Sequence, residues 1–233
     1  MSARSPVDEA KAKVKSWLRT VYPFQGEPED PDAGIIEGWD LAPDSFDRDI
    51  NATAWEGRTT LIQAVMMEEL DVVRALLALP GIDVNKADML FHDTPLTKTC
   101  LLERENMDMV NALLAVPGID VNQADHHGNT PLLLALHNGH RQTAQALLAV
   151  PGINVNAKNR RANGGYMSKD GSRTKFKGEK VIGPKPGSTA LSVANEKGYA
   201  DIVAQLRGLG AVGGRRKTKK ARKSRRRSKK RLN

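Results

Sequence analysis

Three kinds of side chain in this sequence have the means to do chemistry: imidazoles and a thiol, dense runs of Lys and Arg, and carboxylates and amides that recur at regular intervals. The imidazoles are His92, His126, His127, His137 and His140, and the thiol is Cys100. A zinc site needs three or four such ligands at a defined spacing. Here His126 and His127 are adjacent, and Cys100 stands alone in an apolar stretch, so no metal pattern emerges. No Gly-rich loop ends in Gly-Lys-Ser/Thr, and no serine sits in a nucleophile elbow. The carboxylates Asp83, Asp120 and Asp125 are spaced as turn-capping groups rather than as an acid–base pair. These features predict a non-enzymatic protein with no cofactor and no metal.

Phosphate chemistry is better represented. Residues 215–231 carry 13 Lys/Arg and no acid. They are Arg215, Arg216, Lys217, Lys219, Lys220, Arg222, Lys223, Arg225, Arg226, Arg227, Lys229, Lys230 and Arg231, with Ala221 as the sole apolar residue among them. Such a run cannot bury a core and is expected to be disordered. Runs of this kind serve as nuclear or nucleolar import signals or as nucleic-acid patches. Ser224 and Ser228 follow basic residues, and phosphorylation there would lower the local positive charge. A second basic segment, residues 160–186, has a net charge of +6, and the remainder carries −10, within an overall +9. In that segment Asp170-Gly171 is a hairpin signal between Tyr166 and Phe176. Arg160, Arg161, Arg173, Lys175 and Lys177 are its candidate phosphate contacts, with the two rings available for base stacking.

The elements that must position these groups are set by an internal repeat. Leu76-Leu77-Ala78-Leu79-Pro80-Gly81-Ile82-Asp83-Val84-Asn85 recurs with small changes at 113–122 and 147–156, and Asp49-Ile50-Asn51 is an earlier echo. The asparagines Asn51, Asn85, Asn122 and Asn156 lie 34, 37 and 34 residues apart. A second echo reads Gly57-Arg58-Thr59-Thr60-Leu61, His92-Asp93-Thr94-Pro95-Leu96, Gly128-Asn129-Thr130-Pro131-Leu132 and Gly187-Ser188-Thr189-Ala190-Leu191. Thr followed by Pro fits a helix start. Apolar residues then recur at helical spacing, as in Leu61, Ala64, Val65 and Val72, Val73, Leu76, Leu77. Pro-Gly stops the second helix each time.

This pattern resembles the ankyrin repeat, whose period is about 33 residues and whose signature opens on Thr-Pro-Leu. The third repeat matches best, through Thr130, Pro131, Leu132, Ala135, Gly139, His140, Leu147, Leu148, Val155 and Asn156. The resemblance implies an all-α solenoid of four helix-turn-helix repeats with short hairpin-like loops, and leaves a fifth, degenerate repeat open. The expected organisation is an N-terminal helix and acidic Pro-rich linker over 1–33 and a degenerate capping repeat over 34–56. Repeats follow at 57–91, 92–126, 127–159 and 187–212, with the basic insertion at 160–186 and the tail at 213–233. The helix near the N-terminus, opened by Ser5-Pro6, is expected to pack on the first repeat as a cap, the alternative being a basic amphipathic helix that lies on a membrane or docks on a partner.

Departures from the family pattern are local. Glu68-Glu69 and Glu103-Arg104-Glu105-Asn106 replace the usual Gly-His between helices, which predicts irregular turns there. Thr99 and Cys100 stand where Ala is usual, which predicts a looser joint. The resemblance also implies that His140 bridges backbone groups, and that Asn85 and Asn122 stand in a context open to hydroxylation beside a turn-bonding role.

It further implies a protein partner on the concave face of loop tips and first helices. By position, the residues there are Trp55, Glu56, Arg58, Met89, His92, His126, His127 and Asn129, with Trp55 as anchor or, alternatively, buried beneath the N-terminal segment. The expected partners are thus a protein, a nuclear import receptor and, alternatively, DNA or RNA held by the tail. No apolar run is long enough to span a membrane. The expected state is a monomer in the nucleus or nucleolus, with the cytoplasm as the alternative.

Overall fold

The computed structural model describes residues 5–21, 46, 49–53, 57–160, 166–167, 173–174 and 184–212. Trp55, Glu56, Arg161, Lys175, Lys177 and the whole of 213–233 lie outside the described residues. In chain order the helices are α1 (Pro6–Val21), α2 (Thr60–Met66), α3 (Leu70–Leu77), α4 (Pro95–Leu101), α5 (Met107–Leu114), α6 (Pro131–Asn138), α7 (Arg141–Leu148), α8 (Ala190–Lys197) and α9 (Ala200–Gly208). Two strands, β1 (Tyr166–Met167) and β2 (Arg173–Thr174), pair antiparallel within the insertion, Tyr166 opposite Thr174. The chain is an all-α solenoid in which α2/α3, α4/α5, α6/α7 and α8/α9 are the repeated pairs.

The inner helices α2, α4, α6 and α8 start the same way. Thr59, Thr94, Thr130 and Thr189 hold extended backbone, and each hydroxyl accepts a hydrogen bond from the backbone N–H three residues on. That satisfies one of the orphan donors at a helix start. Pro95 and Pro131 take the first helical position, where a missing N–H costs nothing. The outer helices are begun less uniformly. Asn106 caps α5 through Met109 N, while Glu69, His140 and Tyr199 offer no side-chain cap. For α7 the second repeat supplies the missing acceptor: Thr143 N donates to Glu105 Oε1 at 2.6 Å.

Helices of seven to nine residues are too short to persist alone in water. They persist by stacking. α2 packs on α4, α4 on α6 and α6 on α8, so one hydrophobic cluster runs from Val14 to Leu206. The middle of the stack is the driest: every residue of α6 from Pro131 to Leu136 is buried. Cys100 is fully buried and Thr99 returns its hydroxyl to Pro95 O at 2.9 Å, so the joint expected to be loose is closed. α1 covers the outer side of α3, burying Val14, Trp17 and Leu18, with Lys13 paired to Asp71 at 3.2 Å.

Beside the apolar stack runs a ladder of asparagine amides. Asn51 Nδ2 donates to Gly81 O at 2.8 Å, and Asp83 N donates back to Asn51 Oδ1 at 2.7 Å. Asn85 does the same to Gly118 O and Asp120 N, both at 2.8 Å. Asn122 takes Gly152 O and Asn154 N, and Asn156 takes Gly210 O and Val212 N. Each amide thus spends its donor and its acceptor on the turn after the second helix of the next repeat, a Pro-Gly turn in the first three cases and Leu209-Gly210 in the last. Two residues before each asparagine, Asp49, Asp83, Asp120 or Asn154 accepts that asparagine's own N–H and fixes its backbone. After Val212 the sequence continues Gly213-Gly214, with no side chain to extend the ladder.

Truncating one rung therefore breaks two bonds between neighbours. Asn85→Ala is expected to cost about 1–2 kcal/mol, at about 1 kcal/mol net per hydrogen bond, and Asn85→Asp, which keeps the acceptor, about half as much. Urea unfolding followed by circular dichroism checks both values.

Candidate functional site

The loops that join successive repeats are built on one template. Three residues after Asn85, Asn122 and Asn156 stand Asp88, Asp125 and Asn159. In each loop this residue's N–H donates to Asp93 O, Asn129 O or Ser188 O, at 3.0, 3.0 and 3.2 Å, which closes the loop at its base. Its side-chain oxygen accepts from the far side: Asp93 N on Asp88, Asn129 N on Asp125 and Ser188 N on Asn159. Asn159 also donates to Pro184 O at 2.9 Å. The insertion is therefore an enlarged version of an ordinary inter-repeat loop, pinched shut where the others are pinched. Sequence reading found Asp125 as a turn-capping group but missed Asp88, Asn159 and the shared clamp. Its signal is the constant offset of three from Asn85, Asn122 and Asn156.

Neighbouring loops are strapped together through their backbones. His126 N donates to Phe91 O at 2.7 Å, and Arg160 N to His127 O at 2.8 Å. The loop tips of repeats two and three thus form a continuous edge. Met89 stands at 65% exposure on it. His92 and His126 are exposed with ring centroids 5.9 Å apart, and half-buried His127 lies edge-on to His126 at the same separation. Arg58 is half-buried near the first tip. A Cβ on Gly57 would lie 2.2 Å from Met89 Cγ, so the second loop closes over the first. Asn129 is not on this surface: it is buried, and its amide donates to Asp125 Oδ2 at 2.8 Å, so it holds the loop rather than facing a partner. Arg160 is exposed at the root of the insertion, and the backbone of Arg173 lies in β2. Asn85 and Asn122 are ladder rungs, as described above.

Beneath the second loop lies a charge cluster that sequence reading also missed. Lys98, on α4, is nine-tenths buried, and its Nζ lies 2.8 Å from Asp93 Oδ2 and 3.0 Å from Asp88 Oδ2. The ammonium sits 5.1 Å from the Phe91 ring centroid. Two buried carboxylates share one cation, and Asp93 Oδ1 has no hydrogen-bond partner among the described residues. Burial raises the Asp93 pKa, against the lowering effect of Lys98. The signal was a lysine at the position where α6 has Leu134 and α8 has Val193. The cluster organises the loop from below, since Asp88 Oδ1 also holds Phe91 N at 2.9 Å.

The remaining titratable groups do not converge. The Cys100 thiol is pushed well up by burial, with Glu105 and Asp93 adding to the shift, and is inert. His140 is buried, its Nδ1 has no partner among the described residues, and burial lowers its pKa. The expected backbone bridge is thus not made through Nδ1 among the described residues. Among the described residues no three His, Cys, Asp or Glu are grouped to hold a metal ion, and no helix is long and apolar enough to cross a membrane. A shallow open groove on the last repeat is lined by Ala194, Asn195, Gly198, Ala200, Val203 and Arg207. It contains no acid–base pair.

His92 holds φ +56, where the corresponding loop residues Gly57, Gly128 and Gly187 hold φ +70 to +79. A left-handed side-chain-bearing residue costs of order 1 kcal/mol. His92→Gly is expected to match or exceed the parent in thermal midpoint, while His92→Val falls below it by an amount equivalent to about 1–2 kcal/mol. Lys98→Met leaves two carboxylates buried without their cation and is expected to cost about 3–5 kcal/mol near neutral pH. A carboxyl whose folded pKa is raised stabilises the fold below its unfolded value and loses that contribution as pH rises through the folded one. Part of the Lys98→Met loss is therefore expected to return as pH falls toward 4, read from urea midpoints across a pH series.

The family model for ankyrin repeats, in three copies, matches residues 85–159. No curated protein matches the chain. The matched stretch begins on one ladder asparagine and ends on the clamp Asn159, and its caps, turns and ladder continue on both sides. Residues 85–159 are thus ankyrin repeats, and such repeats form protein-interaction domains, typically without enzymatic activity.

Proposed function

We propose that this chain is a non-enzymatic adaptor, monomeric, which binds a protein partner along the concave face of its array and is carried to the nucleus or nucleolus by the Lys/Arg-rich segment 215–231. The observation that supports the first half is the strapped loop edge. Met89, His92 and His126 are exposed on loops whose bases are clamped and whose backbones are bonded to one another. A surface held in this way loses little conformational freedom on binding. The second half is supported by composition: 13 cations without an acid form a ready ligand for an import receptor.

A second reading is that the basic insertion and 215–231 contact the phosphates of DNA or RNA while the array recruits. The observation that favours it is the clamp at Asn159, which roots the insertion on the array beside Arg160. The two readings part on salt and nuclease. Phosphate contacts release counterions, so affinity falls steeply with salt.

The test compares the full chain with residues 1–212 by fluorescence localisation and by pull-down at two salt concentrations, with and without nuclease. Adaptor behaviour predicts nuclear accumulation that is lost in 1–212, and a partner set retained by both forms after nuclease. Partners that vanish with nuclease and with removal of 213–233 overturn it in favour of the nucleic-acid reading.

A further inference from the structure

We infer that a second surface, at the opposite end of the helices from the loops, receives a cationic amphipathic segment of a partner protein. This rests on the reading that the array binds proteins. Each inner helix starts at the loop side on its capping threonine and runs seven or eight residues, so its last residue lies about 10 Å away, at the turn between helices. Counted from the caps, Met66, Leu101, His137 and Glu196 are equivalent, and so are Met67, Leu102, Asn138 and Lys197. The helix ends are apolar in the first two repeats and polar in the last two.

Met66 and Met67 are 37% and 44% exposed, while Leu101 and Leu102 are half-buried, Leu101 with part of its side chain against the core. α2 packs against α4, so these equivalent helix ends lie in adjacent repeats at the same end of the stack, with the two methionines as the exposed part of an apolar strip. A cluster of exposed large apolar residues marks an interaction site, unlike a single one. Methionine adds a side chain that adapts its shape to an occupant.

Carboxylates rim the strip. Glu68, Glu69 and Glu103 are exposed on the two turns, with Arg104 as the cation among them. The equivalent turns of repeats three and four, Gly139-His140 and Gly198-Tyr199, carry no acid. Glu105 is not part of the rim, since its carboxylate is spent on Thr143 N. Glu68 holds φ +56 where Gly139 and Gly198 hold φ +88 and +76, so a carboxylate stands at a position whose backbone favours glycine.

An apolar strip edged by acids is complementary to a short helix with an apolar stripe flanked by Lys or Arg. The chain's own residues 215–231 supply the cations, but Ala221 is their only apolar residue, so they do not supply the stripe.

The test uses the full chain and a fluorescein-labelled amphipathic helical peptide of Leu and Lys, roughly 18 residues long, or five turns. A Leu/Glu peptide of the same pattern and a peptide of residues 213–233 are the comparators. Fluorescence anisotropy is expected to show binding of the Leu/Lys peptide alone. Loss of the anchors in Met66→Ser/Met67→Ser is expected to weaken it by at least about tenfold. Glu68→Gln/Glu69→Gln is expected to weaken it severalfold, and Glu9→Gln/Glu196→Gln to leave it unchanged. Circular dichroism confirms folding, and if the double methionine variant fails to fold, Met67→Ser and the glutamate pair decide the matter.

Unchanged affinity in the anchor and glutamate variants overturns the inference, as does tighter binding by the 213–233 peptide than by the Leu/Lys peptide. A chain that captures cellular partners through the loop edge while ignoring the Leu/Lys peptide overturns this inference and leaves the adaptor reading standing. Capture of no protein by either surface removes both.

Discussion

A pair of seven- or eight-residue helices has an apolar side too large to leave in water and too few internal hydrogen bonds to hold itself together. Everything else in this molecule follows from how that is resolved. The apolar sides are buried by stacking, which is non-directional and would tolerate sliding. The asparagine amides remove that freedom. Asn51, Asn85, Asn122 and Asn156 each reach the backbone of the next turn with both donor and acceptor, so register between repeats is fixed by paired, directional bonds. Burial supplies most of the favourable free energy, and the ladder determines which arrangement receives it. Stability in such an array is the sum of weak units and the interfaces between them.

The loop edge inherits its rigidity from this arrangement. Three residues after Asn85, Asn122 and Asn156 the chain meets a clamp that closes the base of the following loop. Between neighbouring loops His126 N reaches Phe91 O and Arg160 N reaches His127 O. The second repeat departs most from its neighbours. It buries Lys98 between Asp88 and Asp93, carries His92 in a left-handed conformation and adds residues to its inter-helix turn. Each departure costs stability relative to the pattern of the third repeat, whose Gly128, Leu134 and Gly139 occupy the same places. Local costs of this kind persist where a surface is used, and both candidate surfaces include the second repeat.

Much of this was legible in the residues. The Thr caps, the Pro-Gly stops and the recurrence at 34 to 37 residues predict the helices, their order and the resemblance to ankyrin repeats, because each rests on local backbone chemistry. The hairpin signal at Asp170-Gly171 was answered by the pairing of Tyr166 with Thr174. The burial of Asn129 and the Lys98 cluster were not legible. Both depend on how far a polar side chain lies beneath a loop, and spacing alone does not record that depth. His140 illustrates the same limit. Its position matches the family, yet its Nδ1 has no hydrogen-bond partner among the described residues.

The claim that the ladder couples one repeat to the next is tested most directly by amide hydrogen exchange. Asp83, Asp120, Asn154 and Val212 are more exposed than the core, and their N–H groups are bonded to an asparagine side chain of the preceding repeat. If the ladder is intact in solution, these four amides exchange slowly, with opening free energies close to those of core amides in α4 and α6. Exchange at the rate of an unstructured peptide at Asp83, Asp120 and Asn154, alongside protected helices, would contradict the account.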